Sequence, residues 1–510
     1  MSTTIDNNKR IAKNTFYLYF RTFFVMVVSI FTSRVVLDIL GVDDYGIYNV
    51  IGGFVTMFSL LGGTLTAATQ RFITYELGKK NPELSKIFSV SLLIHLVLAI
   101  VLLLLLESIG LWFLNSQMKI SPNRLFAANW VFQCSVLTFC INLISIPYNA
   151  SIIAYEKMNV FAIISIFEVS AKLAVVYLLI AFNGDKLIVY AMLLLAVAIL
   201  LRFIYSVYCK HNFKDCKFYF VKDKTLYIQM LSFSGWNFIG STAGILNTQG
   251  INVLINIFFG VTLNAARGVA EQINSAVNSF VMNFMTAINP QITKSFASGN
   301  FEYLNILIVQ GTKFSFFLFW LFCLPLMIKT EYIMNLWLVE VPPYTSTLLR
   351  YALVYTSCQL LSQTLYTSML ATGKIKKYQI IVGSLSILAF FIAYAFFKFG
   401  LPVEYGYVAT IIMSIICLGT RLILLRGMIP QFSISEYSKN GLLRILLVVC
   451  TSSGILLFGT EHIKIFSSGI AGFVITCTVS FFTSLVCIYI LGITQKERKK
   501  ILNLVISKIR

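Results

Sequence analysis

The stretch KIFSVSLLIHLVLAIVLLLLLESIGLWFL, residues 86–114, decides the fold class. It is apolar all round a helix, so no face of it suits water. It also exceeds the ~20 residues that cross a hydrocarbon core of ~30 Å. Working outward, similar runs recur to both ends of the chain, near 14–39, 46–70, 124–152, 159–182, 186–208, 226–257, 262–290, 304–328, 345–371, 378–397, 403–425, 439–459 and 466–491. Fourteen such spans predict an all-α polytopic membrane protein. An even count puts both termini on one side.

Composition agrees. Of 510 residues, 58% are hydrophobic and 12% charged, against about 25% charged in a soluble domain. Mean hydropathy is +0.83. Too little polar sequence remains to cover a soluble core of this size. The net charge of +20 sits in short segments between apolar runs, which points to membrane topology and away from nucleic acid. With the N-terminus in the cytoplasm, inner segments and span ends carry 29 Lys and Arg, and outer segments carry 6. That asymmetry predicts an inner-membrane protein with both termini cytoplasmic. The opening MSTTIDNNKR lacks a cleavage signature and reads as a retained tail. Ten Cys without ligand spacing and three His predict no metal site and no cofactor.

The longest polar connector, 209–225, divides the chain. We read 1–208 and 226–430 as six-helix lobes and 431–510 as two extra helices with a basic tail. An offset of 219 residues aligns GVDDYG at Gly41 with GVTLNAARG at Gly260, Thr74 with Thr293, Asn81 with Asn300, and Arg202 with Arg421. With a shift of two, AYEKMN at Ala154 aligns with ATGKIK at Ala371. The order of these matches predicts a parallel internal repeat.

Charges inside spans mark the candidate passage, because facing lipid costs kilocalories. Arg34 and Asp38, Glu168 and Lys172, and Arg267 and Glu271 are each spaced i,i+4. Each pair reads either as a cavity element or coupling charge, or as a structural or interfacial pair. Lys313, nine residues into its span, needs a carboxylate, a wet cavity or snorkelling. Arg350 opens the tenth span and joins Arg34, Arg267 and Lys313 as candidate donors to a phosphate group. The seventh span is rich in amides, among them Asn237, Asn252 and Asn256, which suit a sugar passage or helix–helix glue. No GxxxxGK[ST], HExxH or GxSxG is present, and no outer connector is long enough for a catalytic domain. The chain therefore reads as a transporter and not an enzyme.

Residues 14–78 carry Arg34, Leu37, Leu40, Gly41, Asp44, Tyr45, Gly46 and Tyr48, then a Gly-rich second span ending in Thr69-Gln70-Arg71-Phe72. This pattern resembles the O-antigen and polysaccharide flippases of the multidrug/oligosaccharidyl-lipid/polysaccharide exporter superfamily. The resemblance implies two six-helix lobes around a V-shaped cavity, with two further C-terminal helices. It implies that undecaprenyl-diphosphate-linked oligosaccharide passes from the inner to the outer leaflet by alternating access coupled to a Na+ or H+ gradient. It implies cationic cavity residues for the diphosphate, with Arg34 matched by motif, and a polysaccharide polymerase and glycosyltransferases as candidate partners beside membrane lipid. The alternatives are a multidrug exporter or a peptidoglycan lipid-precursor flippase of the same superfamily. The excess of basic over acidic residues, 40 to 20, favours an anionic substrate.

Overall fold

The structure is a computed structural model. It describes residues 2–56, 58–79, 82–116, 120–182, 184–337, 341–462, 469–495 and 497–498. All regular structure among them is helical. In chain order the helices are α1 (Ser2–Thr56), α2 (Ser59–Leu77), α3 (Leu84–Ser116), α4 (Pro122–Ala154), α5 (Met158–Ala181) and α6 (Lys186–Asn212). There follow α7 (Lys224–Ile245), α8 (Ile251–Ala297), α9 (Phe301–Ile328), α10 (Thr330–Trp337), α11 (Thr345–Leu360) and α12 (Gln363–Thr372). The last four are α13 (Lys376–Lys398), α14 (Tyr405–Met428), α15 (Ile434–Gly459) and α16 (Gly469–Gly492).

Nine helices among the described residues are long and apolar enough to cross a membrane: α3 to α6, α9 and α13 to α16. The protein is thus an all-α polytopic membrane protein. The other expected spans fall on helices that are more polar, shorter or interrupted. The run read as 345–371 breaks at Leu361–Ser362 into α11 and α12. The run read as 226–257 is interrupted by a π-helical turn at Leu246–Gly250 that links α7 to α8, and within α8 a kink at Gly260, whose backbone is not helical, separates it from the run read as 262–290. The path labelled α1 starts at Ser2 and ends at Thr56, with two helices meeting at a kink at Gly41, whose backbone is not helical.

The helix ends follow local chemistry. Asp185 caps α6 by accepting from Leu187 N at 3.0 Å, and Asn300 caps α9 by accepting from Tyr303 N at 3.1 Å. Gly373 closes α12 in the left-handed conformation.

Two pairs of backbone conformations coincide with the sequence alignment. Gly41 (φ 78°, ψ 169°) and Gly260 (φ 82°, ψ −176°) share an arrangement open to glycine alone. Glu156, third in AYEKMN, and Gly373, third in ATGKIK, both take the left-handed conformation, at φ 59° and 75°. Asn81 lies outside the described residues, so its match to the Asn300 cap has no structural counterpart here.

The chain divides into two compact units, 1–238 and 239–510. In the first, Leu106, Val131, Phe132 and Leu143 form one buried cluster, and Val176, Leu179, Tyr190 and Cys209 belong to another. Arg124, at the start of α4, ties three helices together. Its Nε donates to Asp44 of α1 at 2.8 Å and its Nη1 to Asp185 at the head of α6 at 2.7 Å. In the second unit, Ile255, Ala266, Val281, Phe319, Leu348 and Ala352 are all fully buried in one core. There α15 and α16 are bound to α9. Trp320 Nε1 donates to Ser452 at 2.9 Å, and a Cβ at Gly492 would meet the Phe317 ring at 2.7 Å. Beyond α16, Thr494 and Glu497 form a capping box: Thr494 N donates to Glu497 Oε2 at 2.7 Å, and Glu497 N to Thr494 Oγ1 at 3.3 Å.

Candidate functional site

The second unit holds a polar cavity of about 230 Å³. Small residues of α7 make its floor: Gly240, Ser241 and Gly244. A Cβ at Gly240 would lie 1.8 Å from Gln379 Oε1, so glycine there is what admits the amide. From α11 and α12 come Tyr355, Gln359, Gln363 and Tyr366, and from α13 Tyr378, Gln379 and Ser386. Among the described residues, the one charge in the lining is Arg421 of α14, and none of them is an acid. Arg421 donates from Nη1 to Ser362 Oγ and lies beside Tyr378, its guanidinium carbon 6.0 Å from the ring centre. Its Nε is buried without a partner among the described residues. A buried, unsatisfied donor calls for an explanation, and an anionic guest supplies one. Gln359 Nε2 donates to Tyr355 Oη at 2.8 Å and to Ser414 Oγ at 3.3 Å, which fixes both cavity side chains. Drug-sized ligands occupy roughly 300–1,000 Å³. A cavity of about 230 Å³ suits a headgroup fragment or one sugar, not a whole oligosaccharide.

Beside this cavity runs a chain of polar contacts. Asn252 Nδ2 donates to Gln249 at 3.2 Å, and Asn252 Oδ1 accepts from Arg267 Nη1 at 2.6 Å. Arg267 lies over the Tyr407 ring at 5.3 Å, and Tyr407 Oη donates to Glu271 Oε1 at 2.6 Å. Asn274 Nδ2 donates to Glu271 Oε2 at 3.1 Å, while its Oδ1 accepts from Thr356 Oγ1 at 2.8 Å. Arg267 is 4% exposed, so this is a buried network and not an interfacial pair.

Of the candidates read from sequence, Asn252, Arg267 and Glu271 come together here. Lys313 does not join them. It is 0% exposed, and its Nζ donates to Glu497 at 2.8 and 3.0 Å and to Gly492 O at 3.4 Å. Of the three expectations for Lys313, the carboxylate is the one the structure supplies. Arg350 donates to Thr330 Oγ1 at 3.3 Å and faces Glu331 at 3.8 Å. Asn237 belongs to the first unit, buried, with Nδ2 donating to Thr64 O at 3.4 Å. Glu168 and Lys172 pair at 2.6 Å, half-exposed, and Arg21 lies over Phe161 within the field of Glu168. Asp38 is exposed. The side chains of Arg34 and Asn256 lie outside the described residues.

Sequence reasoning missed Tyr355, Gln359, Gln363 and Tyr378 altogether. The signal was the i,i+4,i+8 spacing of Tyr355, Gln359 and Gln363, which survives the break at Leu361–Ser362. Arg421 was visible as the repeat partner of Arg202, yet as a residue near a helix end it read as a topology charge. In the first unit Arg202 stacks on Tyr148 at 4.0 Å. A smaller cavity there, about 170 Å³, is lined by Tyr48, Ser135, Thr138 and Asn142 among others and carries no charge. Among the described residues no group of three or more His, Cys, Asp or Glu is placed to hold a metal.

Comparison with known proteins adds the lineage. The family model described as polysaccharide biosynthesis protein matches residues 11–296. No curated protein matches the chain significantly. Solved structures share its fold. A MATE protein in a straight conformation aligns with TM-score 0.70 at 13% identity, over 83% of this chain and 97% of that one. An outward-facing multidrug resistance MATE family transporter of the MOP superfamily aligns at 0.67 and 14%, with the same coverage. A MOP superfamily transporter from Pyrococcus furiosus, described as having a binding pocket of reversed polarity, aligns at 0.69 and 12%, over 83% and 96%. Matched by its family model over more than half its length, the chain belongs to the polysaccharide biosynthesis protein family, and it is a multi-pass membrane protein that shares its fold with MOP transporters.

Proposed function

We propose that this transporter flips undecaprenyl-diphosphate-linked oligosaccharide from the inner to the outer leaflet of the bacterial inner membrane, for surface polysaccharide assembly. The proposal includes fourteen spans in two six-helix lobes with two extra helices, cytoplasmic termini, and alternating access driven by an ion gradient. The observation that carries it is the cavity around Arg421: one guanidinium with a spare donor, three tyrosines and three glutamines, and no acid in the lining. Amides and tyrosine faces suit sugar hydroxyls and rings, and the guanidinium fork suits phosphate oxygens. A site for cationic drugs calls for the opposite charge. Arg34, matched by motif, is proposed as a second donor to the diphosphate.

The test is flipping of a fluorescent polyprenyl-diphosphate oligosaccharide by the full chain in proteoliposomes. A charge-assisted hydrogen bond contributes about 1.5–3 kcal/mol. Arg421→Ala is therefore expected to slow flipping by roughly 10- to 150-fold, and Arg421→Lys by less. Wild-type flipping by a stably accumulating Arg421→Ala overturns the assignment. The second reading, multidrug export, is favoured by the fold shared with a multidrug resistance transporter. It predicts raised drug sensitivity with normal surface glycan on loss of the protein, whereas the flippase reading predicts loss of the glycan.

A further inference from the structure

The sequence FKDCKFYFVKDK, residues 213–224, interleaves lysines with aromatic residues. It forms an ordered strap from the end of α6 to the start of α7. Tyr155, at the end of α4, stacks on Phe213 with ring centres 4.2 Å apart and donates from Oη to Asp215 Oδ2 at 2.9 Å. Ser89 of α3 donates from Oγ to Lys217 O at 3.2 Å and accepts from Tyr219 N at 3.2 Å. Tyr227 of α7 donates from Oη to Val221 O at 3.2 Å, and Lys86 Nζ lies 2.9 Å from Asp223 Oδ2. Phe213, Cys216 and Val221 are buried. These anchors leave Phe218, Tyr219 and Phe220 turned outward, 54%, 47% and 68% exposed. Lys210, Lys214, Lys217, Lys222 and Lys224 are exposed around them. The only acids in 209–225, Asp215 and Asp223, are engaged by Tyr155 and Lys86.

Three helices give the depth of the aromatic triplet. Ser89 lies five residues after Leu84, where α3 begins, so the strap crosses α3 about 7–8 Å from that end. Helix α3 has 33 residues and is about 50 Å long, against about 40–45 Å for a bilayer with its headgroups. Centred in the membrane, it puts the strap about 17 Å from the midplane, just outside a hydrocarbon half-thickness of about 15 Å. On α6 the exposed residues are apolar through Phe203 and Val207 and change to Lys210 and His211. On α7 they begin with Lys224 and Thr225, and large apolar ones first come at Ile228 and Leu231. All three markers place the strap in the headgroup layer. Aromatic rings settle there, and so do lysines, whose stems lie along apolar surface while the ammonium stays wet.

We propose that this strap is a docking surface for anionic phospholipid headgroups. Phe218, Tyr219 and Phe220 enter the boundary between headgroups and acyl chains, and Lys214, Lys217 and Lys222 hold phosphates of the same leaflet. The rings supply depth and the lysines select charge. Each lysine near an anionic surface contributes about fivefold to the attraction. The anchors on α3, α4 and α7 order the segment beforehand, so little freedom is lost on docking. A protein seated on the triplet would have to displace lipid from this layer and match five lysines at once, whereas phospholipid is already present and carries the complementary charge. The surface does not depend on what the protein carries.

The experiment places a reporter at the triplet. The purified full chain with Phe220→Trp is reconstituted into bilayers containing brominated phosphatidylcholine or brominated phosphatidylglycerol, whose bromines quench indole fluorescence on contact. The wild type in the same bilayers supplies the background of the five native tryptophans. The introduced indole is expected to be quenched by both lipids, with a preference of about fivefold or more for phosphatidylglycerol. Replacing Lys214, Lys217 and Lys222 together by Gln is expected to bring the preference close to parity while quenching by brominated phosphatidylcholine persists. High salt is expected to weaken the preference in the same direction. An indole that neither lipid quenches lies in water or awaits a protein, and overturns the proposal. Equal quenching by the two lipids overturns it as well, as does a preference that the triple variant keeps. Should Phe220→Trp fail to accumulate, Phe218→Trp carries the same measurement.

Discussion

Removing either partner of the Lys313–Glu497 pair is expected to destabilise the second unit strongly, and removing both far less. Lys313 is 0% exposed and Glu497 9%. Breaking a buried ion pair by deleting one partner costs about 3–5 kcal/mol, because the other charge stays buried without its counterion. The two single changes are not equal. Without Lys313, Glu497 keeps Gln310 Nε2 at 2.9 Å and Thr494 N at 2.7 Å as donors. Without Glu497, Lys313 keeps only Gly492 O, at 3.4 Å, among the described residues. Glu497→Gln is therefore expected at the upper end of the range and Lys313→Met at the lower. At about 2–4 °C per kcal/mol for a domain near this size, the losses in midpoint are about 6–20 °C. The double variant, with no charge left to strand, is expected to recover most of the loss. Thermal denaturation of the purified full chain, followed by fluorescence-detected size exclusion, reads all three. Single variants within about 2 °C of wild type, or a double variant no better than the worse single, would refute the reasoning. The pair also has a pH signature. Burial alone would raise the Glu497 carboxyl, but the Lys313 ammonium and the Thr494 contacts outweigh it and hold the group below its ordinary value of 4.5. A depressed carboxyl contributes stability above its unfolded value and loses it as pH falls. The excess stability of wild type over the double variant should thus be full above pH 4.5 and shrink below it.

Two further outcomes are expected. Gly41→Ala and Gly260→Ala place a side chain in a glycine-only conformation costing about 1–3 kcal/mol. A Cβ meets nothing within 4 Å at either site, so lowered membrane levels of both would report backbone strain and not crowding, and wild-type levels would contradict it. Single cysteines at Asn212 and Asn115, both exposed, in a background lacking Cys209 and Cys216, are expected to label from the cytoplasmic and outer sides respectively; reversed labelling would sink the orientation.

The helical membrane architecture was legible because long apolar runs admit one solution in lipid. The shared conformations at Gly41 and Gly260 lie where the 219-residue offset placed them. What the sequence concealed is instructive. The π-turn at Leu246–Gly250 inserts one extra residue into the helical path, which turns the following face by about 100°. A periodicity carried through the seventh span does not carry a face across this turn, and Asn252, beyond it, turns to Arg267. The i,i+4 spacing of Arg267 and Glu271 was plain. That Tyr407, 136 residues further on, would reach Glu271 was not. Arg421 looked like a topology charge because a positive residue near a helix end serves orientation and ligand binding equally well. Glu497, in a basic tail, gave no local sign of its partner.

That last pairing sets a problem of timing during synthesis. Glu497 lies 184 residues after Lys313. At about 5–20 residues per second, some 10–40 s separate their emergence from the ribosome. Through that interval α9 enters the membrane carrying an ammonium whose counterion does not yet exist. The lysine must wait near the lipid headgroups or borrow a polar neighbour, and α9 gains its buried ion pair only when Glu497 arrives. The turn that carries Glu497 therefore acts as a latch on the insertion of α9. A nascent chain stopped short of Glu497 would present a stranded charge to the machinery that removes incomplete membrane proteins.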